Sequence, residues 1–141
     1  MSTSQDRLFH IARSAPRKLP ISAPFWEGTR EKKLMIQYCR DTGQYQFYPR
    51  PVSVFTGSKN LEWREVSGAG EVFSFTIARV GRGGFADALP FIVATVLLNE
   101  GVTILSNIID CEIDQVKIGM KVKPAWAPLE DGTNLLLFAP A

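Results

Sequence analysis

Alternating apolar and polar residues run from residue 61 to the end of the chain, and this period of two is typical of strands with one buried face. In residues 70–80 it predicts a core face made of Phe73, Phe75 and Ile77. Residues 91–98 form a nearly continuous apolar run, which predicts a strand covered on both faces. Further strands are predicted over residues 61–66, 102–109, 118–126 and 134–138.

The first 60 residues follow another pattern. Pro16, Pro20 and Pro24 prevent a continuous helix, so we predict an N-terminal arm that lies on a surface, such as that of a neighbouring subunit. A short helix is predicted over residues 25–33, because proline favours the start of a helix. The turn Asp41-Thr42-Gly43 then predicts a hairpin, since glycine tolerates positive φ.

These elements predict a mainly β protein in three parts. Residues 1–24 form the arm, residues 25–60 the helix and hairpins, and residues 61–141 a five-stranded barrel. An OB-type Greek-key barrel is the most economical arrangement, because closure removes exposed strand edges.

Composition agrees with a small globular protein. The chain has 141 residues, 45% apolar and 21% charged, and no apolar run approaches the roughly 18 residues of a membrane span. The charged N-terminus does not resemble a signal peptide, and two cysteines cannot form a disulfide framework, so we expect a cytoplasmic protein with reduced thiols.

Charge is distributed unevenly along the chain. Residues 1–66 hold 11 Lys/Arg and 6 Asp/Glu, a net +5, while the remainder holds 5 and 8, a net −3. This asymmetry favours an anionic partner at the N-terminal half, although an uneven solvated surface is an equal alternative.

No nucleophilic site is predicted. The sole histidine, His10, lies in the arm, and neither Cys39 nor Cys111 has a neighbour in the sequence that would ionise it. The segment Gly81-Arg82-Gly83-Gly84 lacks the Lys-Ser/Thr ending and the following helix of a phosphate loop. Its arginine is nevertheless a candidate for contacting a phosphate.

Residues 39–56 contain the spacing of two zinc knuckles, at Cys39, Thr42, Ser53 and Thr56. A zinc ribbon needs four soft, ionised ligands, and hydroxyls that stay protonated near neutral pH bind zinc poorly. On ligand chemistry alone, this spacing is therefore a coincidence and does not predict a zinc site.

Several stretches together resemble a known family. They are FWEG at 25–28, QYCRDTG at 37–43, FYPRPV at 47–52, LLNEG at 97–101, IGMKV at 118–122 and FAP at 138–140. In this order and spacing they resemble domain of unknown function 35, which joins an N-terminal zinc ribbon to a C-terminal OB-fold. The resemblance covers about residues 25–140 and implies rubredoxin-like hairpins before the barrel.

The ligand positions depart from this family's pattern. Family members usually carry cysteine at all four knuckle positions, whereas this chain has one cysteine and three hydroxyl residues. We therefore predict a degenerate ribbon without structural zinc and without any tightly bound cofactor.

The resemblance also implies a function. Family members accompany thiolase-like or hydratase-like enzymes of acyl-CoA metabolism, so we expect a non-catalytic companion subunit, in a homo- or hetero-oligomer. The CoA phosphates would favour basic residues. Arg50, held between Pro49 and Pro51, is the first candidate for binding CoA or acyl-CoA, followed by Arg40, Arg79 and Arg82.

The alternative is an OB-fold protein that binds single-stranded nucleic acid. Such a protein stacks bases on exposed aromatic side chains beside a basic groove. Here that would require Trp63, Phe85 and Trp126 to lie on one face with Arg79 and Lys123. The net acidic barrel half argues against this alternative.

Overall fold

The computed structural model describes residues 4–141, with side chains from Arg7 onward. Two short helices come first, α1 (Ser4–Phe9) and α2 (Ala23–Arg30). They precede a three-stranded antiparallel sheet with the order β2-β1-β3. Its strands are β1 (Leu34–Cys39), β2 (Gln44–Gln46) and β3 (Leu61–Val66), and we call this sheet and residues 47–60 the ribbon.

The second half of the chain is a closed five-stranded barrel with the order β4-β5-β6-β8-β7. A 3₁₀ helix (Gly83–Ala88) follows its first strand. The strands are β4 (Gly70–Ala78), β5 (Phe91–Leu98), β6 (Thr103–Ile108), β7 (Lys121–Pro128) and β8 (Asn134–Pro140). The predicted mainly β fold with an OB-like barrel is therefore confirmed.

Strand β3 pairs with the ribbon rather than with the barrel. It runs antiparallel to β1 over six residue pairs, from Leu34↔Val66 to Cys39↔Leu61. We predicted this segment as the start of the barrel part. In the structure β2 pairs with only three residues of β1, and β3 pairs along the opposite edge of β1. The division of the chain into three parts, after residues 24 and 60, stays a prediction.

The predicted core face of β4 is wrong at its first member. Phe73 is 57% exposed, whereas Val72 beside it is buried. A β-bulge between Val72 and Ser74 adds one unpaired residue to the strand. Because side chains alternate with period two, that extra residue shifts the phase and brings Val72 and Phe75 to the same side.

The arm packs against this chain's own barrel. Leu8 of α1 is fully buried in an apolar cluster with Phe91, Ile109 and Leu137. Farther along, the backbone N–H of Ala15 donates to Glu130 in the β7–β8 turn. The surface on which the arm lies is thus intramolecular. Among the described helices, none combines the length and apolar content that crossing a membrane requires.

Candidate functional site

An apolar cleft of about 280 Å³ lies where the ribbon meets the barrel. The ribbon side and α2 contribute mainly aromatic residues, and β6 and β8 contribute aliphatic ones. The lining residues are Ser22, Phe25, Trp26, Phe47, Tyr48, Pro49, Ile104, Leu105, Leu135 and Leu136. Ligand sites are commonly concave, apolar and located between structural units, which makes this cleft the candidate site.

The cleft lies beside the seam between β6 and β8, where the barrel is closed by few backbone pairs. Strands β6 and β8 run parallel and share only the pair Ile108↔Phe138. Away from that pair, the Leu105 N–H donates to the Tyr48 hydroxyl at 3.3 Å. The Ser106 hydroxyl donates to the Leu136 carbonyl at 2.8 Å. A ribbon side chain thus satisfies a barrel amide, which keeps the two units together.

Aromatic contacts form the ribbon wall of the cleft. The ring of Phe25 lies 5.0 Å from that of Trp26 and 5.7 Å from that of Phe47. Phe47 in turn lies 4.3 Å from Tyr48. Tyr48 and Leu105 are 49% and 62% exposed, so the mouth of the cleft presents apolar surface to solvent. Such exposed apolar patches mark binding surfaces.

Two buried glutamines hold the segment next to this wall. The Gln37 side chain accepts from the Arg50 N–H at 2.9 Å and donates to the Arg50 carbonyl at 2.8 Å. Gln46 donates to Gln37 at 2.9 Å and accepts from the Val54 N–H at 2.9 Å. The backbone of Arg50 is therefore fixed by hydrogen bonds at both its donor and its acceptor.

The four predicted CoA-binding arginines do not share one location. Arg50 directly follows Pro49 of the cleft, and its guanidinium has no ion-pair or hydrogen-bond partner among the described residues. Arg40 lies on the ribbon and pairs with Glu62 at 3.0 Å. Arg79 and Arg82 lie in the connection between β4 and the 3₁₀ helix. Of the four, Arg50 alone is adjacent in the sequence to a residue that lines the cleft, and the binding role of all four stays a prediction.

The four predicted knuckle positions do come together. Ser53 donates to the Cys39 sulfur at 3.1 Å and accepts from the backbone N–H groups of Phe55 and Thr56. The hydrogen bond from Ser53, followed by those from Thr42, lowers the pKa of the Cys39 thiol. Sequence spacing had therefore identified a real spatial cluster.

The aromatic residues required for nucleic-acid stacking lie apart. Trp63 and Trp126 pack against the cluster that contains Phe138. The ring of Phe85 instead lies 5.9 Å from Phe91, at the cluster that holds the arm. No single row of stacking side chains is formed among these residues.

Comparison with known proteins agrees with this architecture. Residues 26–52 match the family model of the ChsH2 rubredoxin-like zinc ribbon domain, and residues 63–127 match that of the ChsH2 C-terminal OB-fold domain. A DUF35 domain-containing scaffold protein from Pyrococcus furiosus is 35% identical over 116 residues, which are 81% of this chain and 85% of the relative. The chain belongs to the DUF35 family.

Two other proteins that this chain resembles are an enzyme subunit and an enzyme complex by name. A probable enoyl-CoA hydratase alpha subunit from Thermomonospora curvata is 30% identical over 83% of this chain, which spans 37% of that subunit. In a solved structure, a chain of the "Ltp2-ChsH2(DUF35) aldolase" superposes with a TM-score of 0.79. It is 28% identical, and the match covers 89% of this chain and 98% of that one.

The match to a zinc ribbon corrects one prediction. We predicted that the chain binds no zinc, and the rubredoxin-like family model over residues 26–52 contradicts this, because it points to zinc binding. The donors at the four positions are nevertheless one thiol and three hydroxyls, which do not fit a four-cysteine set. The described residues also hold no cluster of three His, Cys, Asp or Glu side chains. No function proposed for this DUF35 chain depends on a metal ion.

The cleft and the glutamine pair were not predicted from the sequence. The cleft is built from α2, the segment after β2, β6 and β8, which are far apart along the chain. The glutamines resemble surface residues of a strand. The FYPRPV segment was the one sequence signal for the glutamine pair. Its prolines restrict the backbone, and the polar backbone groups between them need hydrogen-bond partners.

Proposed function

We propose that this chain is a non-catalytic companion subunit of an acyl-CoA-processing enzyme of the hydratase-like or thiolase-like kind. The observation that carries the proposal is the match to 85% of a protein named a scaffold, together with the match to a hydratase alpha subunit. These relatives confirm the expected class of companion subunit. The proposal goes beyond this class in one respect, because it holds that the chain itself has no catalytic role.

The positions of the reactive side chains support a non-catalytic role. His10 is exposed on the arm, where its ring contacts Phe9 edge-on at 5.0 Å. Cys39 and Cys111 are both buried, and the Cys39 sulfur accepts a hydrogen bond from Ser53. A nucleophilic cysteine is normally accessible and lies beside a basic side chain that ionises it. None of these three side chains borders the apolar cleft.

The cleft supports contact with an acyl-CoA ligand. Its walls are apolar, and Arg50 directly follows Pro49 of its lining, while acyl thioesters of CoA combine an apolar chain with phosphate groups. The backbone of Arg50 is already fixed by Gln37, so contact of its side chain with a ligand would order side-chain torsions only. In this proposal the chain positions substrate for a partner that performs the reaction.

The test is a mild affinity purification of the tagged chain from its native cell, with co-eluting proteins identified by mass spectrometry. We expect a hydratase-like or thiolase-like protein in stoichiometric amount, whose acyl-CoA turnover falls when the chain is omitted. Recovery of nucleic acid without such an enzyme would contradict the proposal.

The non-catalytic part has its own test. The purified chain alone should turn over no acyl-CoA, and the His10→Ala variant should support the partner enzyme as well as the unmodified chain. Turnover by the isolated chain would show that it is itself an enzyme.

A further inference from the structure

We propose that the N-terminal arm exchanges between two copies of this chain, so that α1 of each copy docks on the barrel of the other. The docking surface is the apolar groove that receives Leu8, together with the acidic β7–β8 turn beside the arm. This proposal goes beyond the companion function and does not depend on it.

A single anchor residue holds α1 on the barrel. Leu8 has no exposed surface and lies in an apolar cluster with Phe91, Ile109 and Leu137. Around this anchor, α1 contacts the 3₁₀ helix and β5. A helix that places an aliphatic side chain in an apolar groove is a common mode of protein recognition. The groove therefore has the form of a binding site for a short helix, whichever copy of the chain supplies that helix.

Charge complementarity extends the docking surface beyond the groove. The arm is basic, with four Lys/Arg and one Asp/Glu. The Ala15 N–H donates to the Glu130 carboxylate at 3.2 Å, and the ammonium of Lys18 lies 3.9 Å from the Asp131 carboxylate. Lys18 also pairs with Glu27 of α2 at 3.2 Å. A second copy presents the same three carboxylates, so an arm from another chain meets the same complementary charge.

The arm carries its own internal contacts with it. The Arg13 guanidinium donates to the carbonyls of Leu8 and Ile11, at 3.1 and 3.4 Å, next to the C-terminal end of α1. The Ile11 N–H also donates to the Leu8 carbonyl at 3.4 Å. A basic side chain in this position stabilises the end of a helix. Because these hydrogen bonds join residues of the arm alone, none of them is lost when the arm docks on another barrel.

One turn at the end of the arm forms the hinge. It spans Leu19 to Ser22, where the Ser22 N–H donates to the Leu19 carbonyl at 3.0 Å. The Ser22 hydroxyl donates to the same carbonyl at 3.4 Å. Opening this turn sacrifices these two hydrogen bonds and directs the arm away from its own barrel. Exchange then restores every contact between arm and barrel in the partner copy, which makes it a low-cost route to a dimer.

The hinge gives the first test. Proline is disfavoured at the third position of such a turn, which Ile21 occupies. Ile21→Pro should therefore open the turn and raise the association constant of the dimer by roughly tenfold over Ile21→Ala. Analytical ultracentrifugation of the full chain over a range of concentrations measures this constant. Equal association constants in the two variants would overturn the proposal.

The anchor residue shows whether the dimer forms through the arm. Adding Leu8→Asp to Ile21→Pro should abolish the dimer, because a carboxylate in the apolar groove would be buried without a partner. Ile118→Asp makes a similar change at a residue that is 71% exposed and lies outside the groove, and it should leave the dimer intact. A dimer that survives Leu8→Asp, or that Ile118→Asp also abolishes, would mean association through another surface and would contradict the proposal.

A labelled peptide of residues 4–18 tests the groove without requiring a dimer. In the full chain, Leu8→Asp frees the groove from its own arm, so fluorescence anisotropy should show saturable binding of the peptide to this variant. The Leu8→Asp version of the peptide should bind roughly tenfold more weakly. If circular dichroism shows that the Leu8→Asp chain is unfolded, Leu8→Ala takes its place. Equal binding of both peptides, or binding of neither, would overturn the proposal.

A different occupant of the groove would give a different result. If the groove served a partner enzyme, that enzyme should bind the Leu8→Asp chain more tightly than the unmodified chain, and Ile21→Pro should form no dimer. This outcome would overturn arm exchange and keep the companion function. An arm-dependent dimer in a chain that co-purifies with no enzyme would support arm exchange and remove the companion function.

Discussion

The barrel and the ribbon of this DUF35 chain share one apolar core, to which the ribbon contributes Leu34 and Ile36, but the ribbon adds a pair of buried glutamines. The barrel interior is apolar, and Val96, Ile108 and Phe138 are fully buried in it. The interior of the ribbon contains the polar side chains of Gln37 and Gln46, which are 5% and 4% exposed and satisfy each other and the neighbouring backbone.

This difference has a physical consequence. Burial of apolar surface is non-directional, so a core of roughly the right volume tolerates conservative exchanges. A buried hydrogen bond is directional, and removal of one partner leaves the other unsatisfied. The barrel should therefore respond to changes in volume and the ribbon to changes in chemistry at constant volume.

The largest effect is expected in the barrel. Phe138→Ala should lower the free energy of unfolding by about 3–5 kcal/mol, because it removes a fully buried ring and leaves a cavity. Chemical denaturation followed by circular dichroism measures this. The matched control is Phe73→Ala on the outer surface of β4, expected to change stability by no more than about 0.5 kcal/mol. A large loss in the control would mean that Phe73 is a core residue after all.

The next effect isolates the ribbon. Gln37→Leu keeps the approximate volume but removes both hydrogen bonds to Arg50, so about 3 kcal/mol should be lost at this site. Hydrogen exchange should accelerate at Arg50 and Val54 while the barrel amides stay protected. Gln44→Leu, at an exposed position of β2, serves as the control. Equal acceleration of hydrogen exchange at the barrel amides would contradict the prediction that this substitution destabilises the ribbon alone.

A smaller effect is expected where α2, which precedes the ribbon, contacts the barrel. The Thr29 hydroxyl donates to the Trp26 carbonyl and accepts from the Asn134 N–H at 3.1 Å. Thr29→Val preserves shape but loses both bonds, and should cost about 1–2 kcal/mol. Thermal unfolding measures the loss, and Thr103→Val, at an exposed position of β6, is the comparison. No loss in Thr29→Val would show that this contact does not couple α2 to the barrel.

The smallest effect depends on pH. The Thr133 hydroxyl and N–H, which both donate to Asp131, lower the pKa of this carboxyl, and the positive charges of Lys18 and Arg30 add to this. Its stabilisation is therefore present above the unfolded pKa of about 3.9 and is lost as pH falls through the folded value. Asp131→Asn should flatten this acid dependence in melting curves recorded from about pH 5 down to about pH 2. An unchanged slope would assign the acid sensitivity to other carboxyls.

Sequence patterns predicted the barrel better than the ribbon. Alternation identified β4 to β8, and in the apolar run of β5 five of the eight residues are buried and the other three are partly buried. The turn before β2 was also predicted, and Gly43 there adopts a φ of +72°. These features depend on local periodicity and on local backbone preference, which the sequence displays directly.

Features that depend on distant contacts were not predicted. The bulge at Phe73 cannot be inferred from alternation, because it interrupts the period on which the inference rests. The partner of β3 was not predicted, since a strand pattern does not specify its neighbour. Leu8 also shows no pattern that would indicate its burial against the barrel. The resemblance to a family supplied the ribbon, which periodicity alone would have left as two unrelated hairpins.

The single residue pair between β6 and β8 also links two rates. Widening this seam exposes the amides of β6 to solvent, and the same movement opens the wall that Leu105 and Leu136 provide to the cleft. The same movement also opens a path by which an occupant of the cleft can leave. The release rate of an occupant and the deuterium exchange rate of the Leu105 amide should therefore rise and fall together, so exchange measured on the empty chain would already rank how fast variants release a ligand.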